Sequence, residues 1–139
     1  MHTIKVKDFA IVPGLRYSKL SEDSGEDYYH ERLNTAFAEA YRTKNKLEVV
    51  LDGTRGLLPS FLDEAFGNLV YDFTLKIVKE LLVITSTVEP HWIQHIWKKA
   101  DEWESRRTGK QPRIVTKKHV PWYALVDKKL VKKQWSLPL

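Results

Sequence analysis

Cysteine is absent from the 139 residues, and methionine occurs only at the first position. The lack of cysteine excludes disulfide staples, thiolate nucleophiles and zinc sites of the Cys type. Glycine and proline number six each, too few for a fibrous or low-complexity chain. No apolar run comes near the ~18 residues that a membrane-spanning helix needs, and the opening MHTIKVKDF has no signal-peptide core. Neither GxxxxGKS/T nor GxGxxG occurs, and GTRG at 53–56 has no lysine where a P-loop needs one. No internal repeat is visible. These absences lead to the expectation of a soluble, cytoplasmic protein without cofactor or metal that is not an enzyme.

The residues that are present suit a globular chain: 42% are apolar and 29% charged. The length is that of one ordinary domain, enough to bury roughly two-thirds of the unfolded surface. The net charge of +5 is unevenly spread. Residues 1–105 carry 13 Lys and Arg against 17 Asp and Glu, a net −4; residues 106–139 carry 10 against one acid, Asp127, a net +9. This asymmetry predicts a mildly acidic domain over 1–109 and a basic, aromatic-containing C-terminal extension over 110–139.

Periodicity gives the element order. HTIKVKDFAIV at 2–12 alternates loosely, as an edge strand does; Pro13 and Gly14 end it, and a short second strand is possible near 15–20. Tyr29, Leu33, Phe37, Ala40 and Tyr41 recur at steps of three and four, which places one apolar stripe along a helix, with Ser24 and Asp27 as its capping pair. LEVVLD at 47–52 and KELLVITST at 79–87 are continuous apolar runs, read as central strands covered on both faces. Between them a helix over about 60–73 shows a wide stripe from Phe61 to Phe73. EPHWIQHIWKKADEWESRR at 89–107 forms a third helix, opened by Pro90. PRIVTKK at 112–118 is a possible last strand. Strands alternating with helices predict an α/β fold, with a mixed sheet of about four to five strands flanked by about three helices.

Candidate chemistry is sparse. LDGT ends like the phosphoaspartate motif of haloacid-dehalogenase-like phosphatases, but the nucleophile's position holds Val50, which cannot attack phosphorus. His91 and His95 lie i, i+4 on one helix, a spacing that two metal ligands use. HWIQH lacks the glutamate of HExxH, and partly exposed helix histidines are the simpler reading. His30 and His119 are isolated in the sequence.

Ser60 opens the helix after the loop GTRGLLP. It suits an N-cap with Asp63 at the third helical position, a role worth about 1 kcal/mol. The same placement suits a phosphoacceptor, because helix N-termini stabilise phosphate. A phosphate would add about −1.5 to −2 charges beside Asp63 and Glu64.

LEVVLDGTRGLLPSFLDEAFGNLV resembles the signature of the STAS-like domains of unknown function, a bacterial family related to the STAS domains of anti-sigma factor antagonists. VPGLRYSKLSEDSGEDYY, with Pro13, Gly14, Arg16, Ser24, Gly25 and Glu26, is similar to that family's N-terminal half. The resemblance spans roughly 4–107, and SFLDEAFG is its most specific part. It implies a STAS-like fold and a regulatory protein–protein interaction module, docking a partner such as a histidine-kinase-like ATPase. The serine that antagonists have phosphorylated falls on Ser60. Leu58 and Pro59 stand before it, and Phe61 replaces the antagonists' glycine. The implied docking surface comprises Gly53, Thr54, Arg55, Gly56, Leu57, Leu58, Asp63 and Glu64, with the exposed side of the helix.

The C-terminal extension supports an alternative. Lys117, Lys118, Lys128, Lys129, Lys132 and Lys133 are interleaved with Trp122, Tyr123 and Trp135, a pattern by which single-strand binders pair phosphates with lysines and stack bases on aromatics. This reading makes the protein a nucleic-acid-binding accessory protein. A membrane partner is not expected, since neither a clear amphipathic helix nor a lipidation signal accompanies the lysines.

Overall fold

The computed structural model describes residues 1–134. Three short strands, β1 (His2–Lys5), β2 (Leu47–Val50) and β3 (Leu82–Thr85), form a parallel sheet in the order β1-β2-β3. The register sets Thr3 beside Glu48 and Val50 beside Thr85. β2 is the central strand and alternates buried Leu47 and Val49 with half-buried Glu48 and Val50. The apolar runs thus cover one face fully and the other only in part, which corrects the expectation of strands buried on both sides. On the half-covered face the Glu48 carboxylate accepts hydrogen bonds from Thr3 Oγ1 at 2.9 Å and Thr85 Oγ1 at 2.7 Å, lacing all three strands together.

The helices fill the connections. β1 runs directly into the one-turn α1 (Val6–Phe9) instead of continuing to residue 12, and residues 15–20 are irregular. α2 (Gly25–Tyr28), a π-helical turn (Tyr29–Leu33) and α3 (Asn34–Thr43) follow one another without a break. The expected Ser24–Asp27 capping box opens α2: Asp27 N donates to Ser24 Oγ and Ser24 N to the Asp27 carboxylate. α4 (Pro59–Phe73) is followed by α5 (Leu75–Leu81), which takes the first three residues of the stretch expected as a strand over 79–87. α6 (His91–Thr108) completes the body.

α4 is enclosed on all sides. Its apolar stripe meets the sheet-side core, and its flank is pressed so closely by α6 that a Cβ added at Gly67 would stand 2.0 Å from the Trp103 ring. Its other flank carries Glu64, Asn68 and Asp72, four residues apart and all buried. Their solvent is replaced by chain from both ends of the protein.

The last two strands lie apart from the parallel sheet. β4 (Trp122–Val126) and β5 (Lys129–Lys133) make an antiparallel hairpin. The five strands of the described residues therefore form two sheets, not one mixed sheet, and the expected strand at 112–118 is irregular chain. The hairpin packs on the body through Asn34, whose side-chain amide brackets Tyr123: Asn34 Nδ2 donates to Tyr123 O and Tyr123 N donates to Asn34 Oδ1, both at 2.8 Å. Among the described residues, no helix is long and apolar enough to cross a membrane.

Candidate functional site

The loops that leave the carboxyl ends of the three parallel strands meet at one end of the sheet, where open α/β sheets place their ligands. Asp52 holds two of them together. Its carboxylate accepts the backbone N–H groups of Thr87 (2.9 Å) and Val88 (3.0 Å), the Thr87 hydroxyl (2.9 Å) and, more weakly, the Ser86 hydroxyl (3.3 Å). The Thr87 and Val88 N–H bonds hold this carboxyl below its ordinary pKa. The third loop is tied in by Arg55 N, which donates to Ile11 O at 2.7 Å. The acid of LDGT is thus a clasp between loops, a role its position at a strand end could have suggested.

The clasped loops present apolar groups to solvent. Ile11, Val12, Leu58 and Val88 are exposed, Leu58 at 42% and Val88 at 75%. Beside Val88 lies a cleft of about 250 Å³, lined by Asp52, Thr54, Leu57, Ser86, Val88 and Trp92. Gly53 at its mouth has φ 99°, a left-handed conformation that favours glycine, and lies under the aliphatic stem of Lys7. Gly53, Arg55 and Gly56 are exposed; Thr54 and Leu57 are half-buried.

Ser60 is not the cap. The helix starts one residue earlier, with Leu58 at the N-cap, Pro59 at the first helical position and Ser60 at the second, because proline's fixed φ already suits the first turn. Ser60 remains half-buried at the helix mouth. Asp63 and Glu64 are withdrawn from the expected docking surface. Asp63 accepts from Arg16 Nη1 at 2.6 Å and from Trp103 Nε1 at 2.9 Å. Glu64 is only 2% exposed and accepts from Asn68 Nδ2 at 2.8 Å and Arg16 Nη1 at 3.3 Å. Burial pushes its carboxyl above the ordinary range, against the pull of Asn68 and Arg16. The side of α4 expected to be exposed is covered.

The chain beyond residue 109 is bound to the body by buried charges. Arg113 reaches Asp72 at 2.6 Å, and Asp72 also accepts the Tyr29 hydroxyl at 2.5 Å. Glu26, with no exposure, accepts from His119 Nε2 and the Thr116 hydroxyl, each at 2.6 Å, from Thr116 N at 3.0 Å and from Ser18 N at 3.1 Å. Burial raises the Glu26 pKa, but these donors outweigh it and bring it to about 2. His30 and His119, isolated in the sequence, are stacked with ring centroids 4.0 Å apart. Arg113 Nη2 stands 3.2 Å from His30 Nε2; a guanidinium only donates, so His30 carries its proton on Nδ1.

The residues expected to bind nucleic acid separate into two groups. Trp122 is buried at 6% exposure, under Arg113 and edge-on to His30. Tyr123 has Arg42 and Lys132 against its ring. The buried Trp122 ring is not free to stack a base, which corrects that part of the reading; Tyr123 is half-buried. Lys117, Lys118, Lys128, Lys129, Lys132 and Lys133 are exposed, Lys117 lying 3.9 Å from Asp27. Trp135 lies outside the described residues. His91 and His95 are joined by no third ligand: no group of three or more His, Asp or Glu able to hold a metal occurs among the described residues.

The fold and this face define a small α/β module, built on a parallel sheet whose loop end is apolar. Residues 30–92 match the family model of the STAS-like domain of unknown function. The match holds β2, the clasped loop, α4 and β3, and so includes SFLDEAFG; the C-terminal hairpin lies beyond it. No curated protein and no solved structure matches the chain.

Proposed function

We propose that the protein is a non-catalytic regulatory module that docks a protein partner at the carboxyl end of its parallel sheet. One observation carries the reading: three loops, fixed to one another by Asp52 and by the Arg55–Ile11 bond, hold Ile11, Val12, Leu58 and Val88 in water. Held on clasped loops, these side chains leave apolar surface uncovered by their own fold, and such groups beside a cleft suit an interface. Arg55 and Thr54 supply polar contacts at the rim. The resemblance to antagonists of anti-sigma factors makes a histidine-kinase-like ATPase the partner class to test first.

Ser60 is proposed as the switch. At the second helical position, after a proline that has no N–H, its phosphate would sit against the positive end of α4 and place about −1.5 to −2 charges beside Leu58. The test is cross-linking of the tagged protein in its own cells, with Leu58→Asp, Val88→Asp and Ser60→Glu variants. A partner held by wild type should be lost with both aspartates and weakened by the glutamate. Equal recovery by Leu58→Asp and Val88→Asp removes the docking face; equal recovery by Ser60→Glu alone removes the switch.

A further inference from the structure

The hairpin and the end of α3 together carry five exposed lysines. The Tyr41 hydroxyl donates to Lys128 O at 2.8 Å, which fastens the hairpin turn to the last turn of α3. Lys44, Lys128 and Lys129 lie next to this joint in the chain, Lys132 and Lys133 follow along β5 on its two faces, and all five are exposed. None of the five is ion-paired with an acid among the described residues. Glu39, the nearest acid on α3, is already taken by Arg42.

Backbone conformation supplies a second observation. Lys44 at the end of α3 has φ 56°, and Lys128 in the two-residue turn between β4 and β5 has φ 67°. Both are left-handed positions where glycine is the favoured residue. Lysine therefore stands at two left-handed positions on the two elements that the Tyr41–Lys128 bond joins, where another residue would cost less.

We infer that this surface binds the sugar–phosphate backbone of nucleic acid without reading its sequence. Trp122 is buried, and half-buried Tyr123 already has Arg42 and Lys132 against its ring, so the surface offers chiefly cations. It also lacks the apolar helix face by which basic segments enter a membrane. A duplex, which presents phosphates and hides its bases, fits it at least as well as a single strand.

The experiment is fluorescence anisotropy on the full chain with a labelled 20-base-pair DNA duplex and a 20-nucleotide single strand, at 50 and 200 mM salt. Four neutralised phosphates correspond to a log–log salt slope of about −3.6 on duplex, or roughly a hundredfold loss between the two salts. Lys132→Glu/Lys133→Glu should weaken duplex binding at least tenfold. Lys44→Gly and Lys128→Gly should each weaken it several-fold while raising the melting temperature, so loss of fold cannot account for the effect. Four results overturn the inference. They are no binding at 50 mM salt, binding unchanged in these variants, a tenfold preference for the single strand, and tighter association with phosphatidylserine vesicles than with DNA.

Discussion

The imidazoles of His30 and His119 lie flat on one another, 4.0 Å between centroids and 7° between planes, although 89 positions separate them in the chain. His119 turns its Nε2 to Glu26, and His30 turns its own to Arg113. Burial beside the Arg113 guanidinium holds His30 neutral.

Stability should therefore fall with acidification in two stages. Burial, then the charges of Arg113 and His119, push the His30 pKa down to about 2. An unfolded histidine takes up its proton near 6.5. Between these values the unfolded chain binds more protons, so stability drops as pH falls below about 6.5. Glu26, folded at about 2 and unfolded near 4.5, adds a loss of the same sign below about 4.5. Urea midpoints at pH 7 and pH 5 isolate the first stage; His30→Phe should flatten the difference. A wild-type midpoint equal at both pH values would contradict the assignment.

Arg113 and Asp72 form a buried pair, side chains 8% and 2% exposed. Arg113→Met leaves Asp72 buried without its cation, a change that typically costs about 3–5 kcal/mol. Ending the chain after Gly109 should cost at least as much, since Glu26 then loses His119 and Thr116 as well. Denaturant titration of both variants checks this; a truncated chain as stable as the whole would show that residues 110–134 are a dispensable arm.

Gly67 is fixed by packing rather than by backbone freedom. A methyl there meets the Trp103 indole at 2.0 Å, and that indole is itself held by its bond to Asp63. Gly67→Ala should destabilise by about 2 kcal/mol or more, despite alanine's better helix propensity. A melting temperature at or above that of wild type would mean that α6 can move away from α4.

Lys128 occupies the second position of a turn in which Asp127 and Lys128 both have positive φ. Relieving one left-handed L-residue should stabilise by about 1 kcal/mol. Lys128→Gly is therefore expected to raise the denaturation midpoint, and a lower midpoint would assign the lysine side chain a packing role.

Local patterning was enough to determine much of this protein. The three-and-four spacing from Tyr29 to Tyr41 and from Phe61 to Phe73 gave helices, because a helix can bury only residues that recur with its own turn. The order of strands and helices gave an α/β class, and SFLDEAFG lies within the STAS-like match. Pattern could not decide the fate of the charged residues. Glu64 read as part of an exposed docking surface, and nothing in the pattern marked Glu26 or Asp72 for burial, because carboxylates are seldom buried alone. They are buried because Arg16, His119 and Arg113 arrive from 48, 93 and 41 positions away. The basic end read as an arm for the same reason: net charge is a sum over sequence, whereas the pairing of Arg113 and His119 with buried acids is set by tertiary contact. Helices follow from neighbours along the chain, but a buried charge is tolerated only where its partner lands, and that is decided by the whole fold.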